Sequence, residues 1–498
     1  MSTLDALIVE INDHFWTYLL IPLVAIAGLW FTIRSKAVQL RLLPEMLRVL
    51  KTPAQSHGTG RRSVSAFGAF TISAAARIGT GNVAGVAAAI TLGGPGAVFW
   101  MWVMALVGGA SSFVESTLAQ LYKVRNTHPG GEGTYRGGPA YYMQRGLGKR
   151  WLGVTFAVII TLTFGWVFTA VQSNTITTVL KSSGSSDSSS FTFVVGTALA
   201  GLLALSVFGG VKRIAHVTQV LVPVMAVLYL LMGLLVLALN LGELPSVLAS
   251  IVEGAFGLRE AASGAIGAAI VQGVRRGMFS NEAGLGSAPN AAATAEVSHP
   301  VKQGLVQTLG VYFDTLIVCS MTAFIILSTN PSLSERGGAD LTQSALEETL
   351  GGWAGYVLAV VVFMLAFSSM IGNYYYGESN VRFVTGSKPV MAGYRVVILA
   401  CTVLGAMGSV SVVWSLADVT MGAMALVNLL AVLPLSVVAF RLLEDYVAQR
   451  RAGLDPVFTR DRVPGLKGVE CWEPAGGTSG PQAGGDADPS AAKDVRVG

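Results

Sequence analysis

The sequence predicts an all-α polytopic membrane protein with eleven transmembrane helices: one extra N-terminal helix plus a 5+5 inverted repeat whose first and sixth core helices are discontinuous. Three observations carry this. Of 498 residues, 52% are hydrophobic and only 12% charged, with a mean hydropathy of +0.60, whereas a soluble domain carries about 25% charged residues. Eleven apolar stretches lie near or above the ~20 residues that cross a bilayer as helix. Two of them are interrupted by clustered glycines. A soluble enzyme, a secreted disulfide scaffold and a disordered chain are thereby poor readings. Cys319, Cys401 and Cys471 are too widely spaced for a disulfide framework or a zinc pattern. The pI of about 9.1 comes without a basic stripe with interleaved aromatics, so nucleic acid is not an expected partner.

In chain order the expected spans are 16–33, 65–90, 95–122, 152–180, 191–209, 214–240, 262–290, 305–328, 352–376, 393–412 and 414–440. The N-terminus holds Asp5, Glu10 and Asp13 but no Lys or Arg, so the first run reads as a retained helix rather than a cleaved signal. The following loop holds Arg34, Lys36, Arg41, Arg48, Lys51, Arg61 and Arg62. By the positive-inside rule that loop is cytoplasmic and the N-terminus outside. Alternating from there, expected inside segments hold 27 of the 33 Lys and Arg, outside segments hold Lys181, Arg259 and Arg336, and Arg77, Arg275 and Arg276 fall within spans. The expected location is the plasma (inner) membrane, with the C-terminus cytoplasmic.

Without the first span, ten remain as two fives, offset by about 200 residues, and an odd number per unit forces the second to enter from the opposite side. The chain divides accordingly into residues 1–64 (extra helix and basic loop), 65–240 and 241–445 (the two repeats), and 446–498 (a cytoplasmic tail). The tail is expected to be disordered from about 474, because it is rich in Gly, Ala, Pro and Asp with no apolar period. Phe458 and Trp472 suggest that its first part docks on the body, and the serine-rich stretch 181–190 reads as an external loop.

Each repeat opens on a broken helix. Residues 76–85 read Ala-Arg-Ile-Gly-Thr-Gly-Asn-Val-Ala-Gly; residues 277–290 read Gly-Met-Phe-Ser-Asn-Glu-Ala-Gly-Leu-Gly-Ser-Ala-Pro-Asn. Close glycines and a proline weaken helix, and backbone freed inside a bilayer persists only where it lines a protein cavity. Carbonyls at such a break suit Na⁺ or an ammonium, and N–H groups suit a carboxylate. Span 65–90 contains no Asp or Glu, which favours a net-neutral zwitterion over a cationic solute. Small residues for close helix packing are the alternative, but adjacent polar residues do not make a packing face.

The run Gly-Gly-Pro-Gly-Ala-Val-Phe-Trp-Met-Trp-Val-Met-Ala-Leu-Val-Gly (93–108) resembles the signature of the sodium:alanine (alanine or glycine:cation) symporter family. So do residues 78–85, 135–142, 172–176, 209–215, 276–289 and 374–378, in collinear order across about residues 10–445. The resemblance implies a leucine-transporter-type fold and Na⁺-coupled uptake of small neutral amino acids, chiefly alanine or glycine, by alternating access. It implies Na⁺ as coupling ion with no organic cofactor. Expected Na⁺ ligands are Ala75 and Ile78 at the break, Asn82, and the hydroxyl pair Ser368 and Ser369. Gln172 is similar to the family's polar pocket residue. Where members often carry an aromatic, this chain has Asn373, which adds two donors and an acceptor and opens the alternative of serine or glutamine.

The expected substrate site thus comprises Thr80, Gly81, Asn82, Gln172, Phe279, Ser280 and Asn373. Thr80 and Gly81 would meet a carboxylate, and Phe279 would cap the pocket. Each has a plainer alternative: Asn82 as cap of the resumed helix, Ser368 and Ser369 bonded back to their own helix, Gln172 as an interhelical bond. Arg77, Glu115, Arg275, Arg276, Glu282, Asp314, Glu378 and Asp418 are intramembrane charges, expected mainly as ion pairs or gates. The five histidines show no metal spacing. Expected partners are a small neutral amino acid, Na⁺ and membrane lipid, with oligomeric state open. Proton coupling is the nearest variant. A channel fits less well, and an intramembrane enzyme lacks any His-Glu-x-x-His, Gly-x-Ser-x-Gly or paired-acid set.

Overall fold

The computed structural model describes residues 10, 12–51, 64–127, 133–182, 188–208, 210–257, 263–329 and 338–473. The expected disorder of 474–498 and the middle of the serine-rich loop (183–187) lie outside the described residues. Among the described residues the protein is a multi-pass helical bundle. Nine helices are long and apolar enough to cross a membrane: Asn12–Arg34, Gly96–Leu121, Arg150–Ser182, Ser189–Val207, Gly210–Leu239, Pro300–Thr329, Trp353–Val384, Lys388–Met407 and Val412–Arg451. The two other expected spans coincide with interrupted stretches. The first runs as Ala66–Arg77 and, after a gap, Gly81–Gly93; the second as Ser263–Asn281 and Ala288–Ala292.

Of the helices that were not expected, two are twelve residues or longer. Leu244–Phe256 and Ala339–Leu350 lie between spans, in segments read from sequence as connections. They are too short to cross a bilayer, yet they bury Ile251 and Ala255, and Leu341 and Leu346. Leu244–Phe256 brings Gly254 against Gly96, and a Cβ on Gly96 would lie 2.3 Å from the Gly254 carbonyl carbon. Ala339–Leu350 covers the first interrupted helix, with Thr342 Oγ1 3.5 Å from the Val83 carbonyl.

Helix 353–384 packs directly on helix 66–77. A Cβ on Gly372 would lie 2.9 Å from the Ala76 backbone nitrogen, so only the absent side chain lets the two backbones approach this closely. Among the described residues four stretches widen into π-helix: Phe15–Leu20 in the first span, and Gly81–Gly85, Thr161–Phe168 and Phe313–Cys319 further in. Such widenings mark functional places in helices, and the last three carry residues of the site described below.

One end of the bundle is sealed by the chain beyond the last span. Phe458, Val463 and Trp472 are buried. Phe458 N donates to the Ser298 carbonyl at 2.8 Å, Ser298 Oγ to that of Pro456 at 2.7 Å, and Trp472 Nε1 to that of Gln120 at 3.0 Å. Arg145 pairs with Glu470 at 2.7 Å and Lys302 with Asp455 at 2.9 Å. The first part of the tail is therefore docked on the body.

Candidate substrate and cation site

The first interruption falls at residues 78–80. Ile78 leaves helical geometry (φ −80°, ψ 89°) after its N–H has closed the last turn onto Ala74. A break inside a bundle orphans N–H and C=O groups, each of which needs a partner. Gly79 N donates to Asn82 Oδ1 at 2.8 Å, and Thr80 N to Gln172 Oε1 at 3.1 Å. On the carbonyl side, Ser369 Oγ donates to Ala75 O at 2.9 Å and lies 3.5 Å from Ile78 O; Ser368 Oγ lies 3.5 Å from Ala75 O. Both serines also reach back to Leu365 O.

The structure therefore brings Ala75, Ile78, Ser368 and Ser369 together as a shell of two carbonyl and two hydroxyl oxygens. Uncharged oxygen donors suit a hard cation and offer nothing to a soft one. Gly79 is required there by space: a Cβ would sit 2.2 Å from Ser369 Oγ and 3.2 Å from Gln172 Oε1. Asn82 stands next to this shell: its Oδ1 accepts from Gly79 N, its Nδ2 donates to Asp314 Oδ1 at 2.7 Å, and its backbone carbonyl accepts from Thr322 Oγ1 at 2.6 Å.

Asp314 gathers a second polar cluster. Besides Asn82 it accepts from Ser280 Oγ at 2.8 Å and Thr315 Oγ1 at 2.9 Å, fully buried and without a salt-bridge partner among the described residues. Sequence reasoning counted it among the intramembrane charges and not among the site residues. The signal was present as an acid within an apolar span, but only the fold sets it beside Asn82 and Ser280.

Phe279 lies in the last turn of helix 263–281, two residues inside it rather than in the break, and its Cδ1 would meet a Cβ on Gly81 at 2.9 Å. Its ring sits between Phe168 (4.7 Å) and Trp414 (4.8 Å), and Phe168 continues to Phe164 and Tyr376. The Arg276 guanidinium stands 5.0 Å over Trp414 and pairs bidentately with Asp418 at 3.1 and 2.8 Å. Arg275 joins Asp418 at 3.7 Å and Asp13 at 2.8 Å, and Trp16 Nε1 donates to the Asp418 carbonyl. An aromatic layer under a buried ion pair thus closes one side of the first break, as expected of some of the intramembrane charges. Phe168, Trp414 and the pairing itself could not be read from sequence, since they come from helices far apart in the chain.

The second interruption spans residues 282–287. Glu282 takes a positive φ of 57°, with Gly284 and Gly286 at 85° and 78°, a strained backbone for a non-glycine residue that only surrounding contacts can hold. Ser287 Oγ donates to Glu282 at 2.6 Å; Asn428 Nδ2 donates to Gly284 O and to Glu115, both at 2.9 Å; Tyr142 also donates to Asn428. Glu115, Glu282 and Arg77 make no ion pair within 4 Å among the described residues. Arg77 donates instead to the Gln307 carbonyl at 3.0 Å, whereas Glu378 pairs with Arg382 at 2.7 Å.

Asn373 lies one turn beyond Ser369 on the same helix face. It is 1% exposed, and neither its Oδ1 nor its Nδ2 has a hydrogen-bond partner. The Thr80 and Tyr376 hydroxyls are buried and unpartnered as well. Buried polar groups without partners cost about 1–3 kcal/mol each. Three of them on elements converging at the break point to a ligand with several hydrogen-bonding groups.

The chain matches the profile of the sodium:alanine symporter family over residues 1–460. It is 51% identical over 465 residues to a probable sodium/glutamine symporter, GlnT, of Bacillus subtilis (strain 168), covering 93% of this chain and 94% of that one. A sodium/alanine symporter, AgcS, of Methanococcus maripaludis is 36% identical over 440 residues, covering 86% and 94%. Among solved structures, MhsT in complex with L-phenylalanine superposes with a TM-score of 0.55 at 13% identity, covering 77% of this chain and 99% of that one. The likeness to MhsT is one of fold: a leucine-transporter-type bundle with its discontinuous first and sixth core helices.

Proposed function

The chain belongs to the sodium:alanine symporter family, a membrane transporter and not an enzyme, and we propose that it couples Na⁺ influx to uptake of a small neutral amino acid by alternating access. The observation that carries this is the first break, where a shell of neutral oxygens from Ala75, Ile78, Ser368 and Ser369 adjoins the backbone N–H groups of Gly79 and Thr80. Na⁺ takes the first; the substrate carboxylate takes the second. Gln172 Oε1 occupies the Thr80 N–H, so a carboxylate arriving there displaces it and finds the Thr80 hydroxyl beside it. With no acid on the interrupted helix, the substrate ammonium rests on carbonyl and hydroxyl oxygens, as suits a zwitterion. The Arg276–Asp418 pair and the Phe279–Trp414 layer form the outer gate, with the N-terminus outside and the tail cytoplasmic, as the distribution of Lys and Arg indicates. The domain division 1–64, 65–240, 241–445 and 446–498 follows from the same reading.

Each net charge carried inward across 100 mV contributes about 2.3 kcal/mol, enough for roughly fortyfold accumulation. Binding of ion and solute is reciprocal, so Na⁺ raises substrate affinity by the factor by which substrate raises that of Na⁺.

Alanine is the substrate the family's description names, and glycine is the smaller zwitterion beside it. The unpartnered Asn373 amide supports a second reading, glutamine or serine, because a side chain that hydrogen-bonds would satisfy a group an alanine methyl leaves bare. The test is radiolabelled uptake into proteoliposomes with an imposed Na⁺ gradient, with alanine, glycine, serine and glutamine in parallel. Uptake that ignores the Na⁺ gradient but follows a proton gradient overturns Na⁺ coupling; single-channel currents without saturable uptake overturn symport.

A further inference from the structure

A cavity of about 330 Å³ opens at the turn between helices 353–384 and 388–407, lined by Arg382, Thr385, Ser387, Lys388 and Arg395 among others. Its charge is unbalanced. Arg382 and Arg395 share one carboxylate, Glu378, at 2.7 and 3.6 Å. Lys388, exposed at the rim, pairs with no acid among the described residues. Two positive charges are thus left over. The helix that begins at Lys388 adds its positive dipole end, with no side chain capping its first N–H groups, and the hydroxyls of Thr385 and Ser387 add donors.

The cavity sits where two membrane-crossing helices meet the interface, and below it runs an apolar line. From Ala392 in the cavity wall, Val396, Leu399 and Val403 follow at spacings of four, three and four residues along the same face of the helix; Val396 is 67% exposed and the other two half-buried, and Phe208 beneath the Arg395 guanidinium is 53% exposed. A soluble anion would need only the cationic cup. A ligand with an anionic head and hydrocarbon tails fits both the cup and the line.

We propose that this cavity binds the phosphate of an anionic phospholipid headgroup, with the acyl chains along Val396, Leu399 and Val403, at the end of the bundle carrying most of the Lys and Arg. Arg382 and Arg395 hold the phosphate from within, and Lys388 completes the cup at the rim. Arg382 lies nine residues beyond Asn373 on helix 353–384, and the site is independent of which amino acid is carried.

The test uses the full-length protein in an uncharged detergent. Its thermal midpoint is followed while dioleoylphosphatidylglycerol, dioleoylphosphatidylcholine or inorganic phosphate is titrated in, since a ligand of the native state alone raises stability. The expected result is a saturable rise with phosphatidylglycerol only. Lys388→Glu raises the half-effect concentration by about tenfold or more, and Lys388→Gln raises it less. Lys467→Glu, the same charge change on the exposed tail, leaves it unmoved. Equal protection by phosphatidylcholine, equal weakening by both glutamate variants, or the same response to inorganic phosphate alone would overturn the proposal. Lys388 is exposed, so its variants are expected to fold; if Lys388→Glu does not, an unchanged titration of Lys388→Gln overturns it.

Discussion

Asn82 and Asp314, 232 residues apart in the chain, face each other at 2.7 Å across two π-widened helices. The carboxylate orients the Asn82 amide so that its oxygen meets the Gly79 N–H. Asp314→Asn removes the charge and one acceptor while keeping the shape. It is expected to lower apparent Na⁺ affinity about tenfold or more, read from the Na⁺ dependence of uptake, with little loss of thermal stability. Asn82→Ala, which frees the Gly79 N–H, is expected to abolish the Na⁺-dependent thermal shift altogether. An unchanged shift removes Asn82 from the site.

The oxygen shell of Ala75, Ile78, Ser368 and Ser369 leaves no room at Gly79. Gly79→Ala drives a Cβ to within 2.2 Å of Ser369 Oγ and is expected to cost about 1–3 kcal/mol of stability by overpacking. Adding Ser369→Ala relieves the clash and is expected to restore part of the thermal midpoint. Na⁺-dependent uptake stays lost in the double variant, because the hydroxyl has gone. Recovery of both together would mean that the hydroxyl is only a packing group.

At the proposed outer gate, Arg276→Ala leaves Asp418 buried without its bidentate partner and is expected to destabilise the protein by about 3–5 kcal/mol. Arg276→Lys recovers the charge but not the two parallel bonds, so its thermal midpoint is expected to fall between those of wild type and alanine variant.

On the proposed reading, Asn373 separates glutamine and serine from alanine. Asn373→Leu is expected to weaken glutamine and serine uptake at least tenfold while sparing or improving alanine, measured as uptake ratios in one preparation. A uniform loss for all four amino acids would argue that Asn373 supports the helix and not the side chain of the solute.

Lys123, just past the end of helix 96–121, is buried beneath Trp472 and Tyr135, its ammonium 4.7 and 4.1 Å from their ring centres and 2.9 Å from the Ala295 carbonyl. Burial pushes its pKa down from the ordinary 10.5 to about 8. Between those values the unfolded chain holds a proton that the folded one has lost, so stability rises with pH across that window, by on the order of 3 kcal/mol. Below about pH 8 both forms are charged and the slope vanishes. Lys123→Met is expected to flatten the rise in thermal midpoint between pH 8 and 10.5.

The bundle was legible because lipid leaves few options: apolar length shows the spans, and glycine clusters within them show the breaks. Ala75, Ile78, Ser368 and Ser369 were named from the family resemblance, and the fold brings them together. Asn82 was expected to offer its oxygen to the ion or to the substrate site; that oxygen accepts from Gly79 N, and the pairing of its Nδ2 with Asp314 was not legible, because it depends on a neighbour and not on spacing. The helices Leu244–Phe256 and Ala339–Leu350 were missed since their stability comes from tertiary burial of one face, for which a short segment carries little signal.

Residues 456–472 reach back to Ser298 and Gln120, so this side of the molecule is finished by a stretch that leaves the ribosome after every span. During synthesis this mouth must stand unsealed until the last aromatic, Trp472, is delivered. A stop codon placed just after the final span would release a fully inserted carrier with one door lacking its bolt.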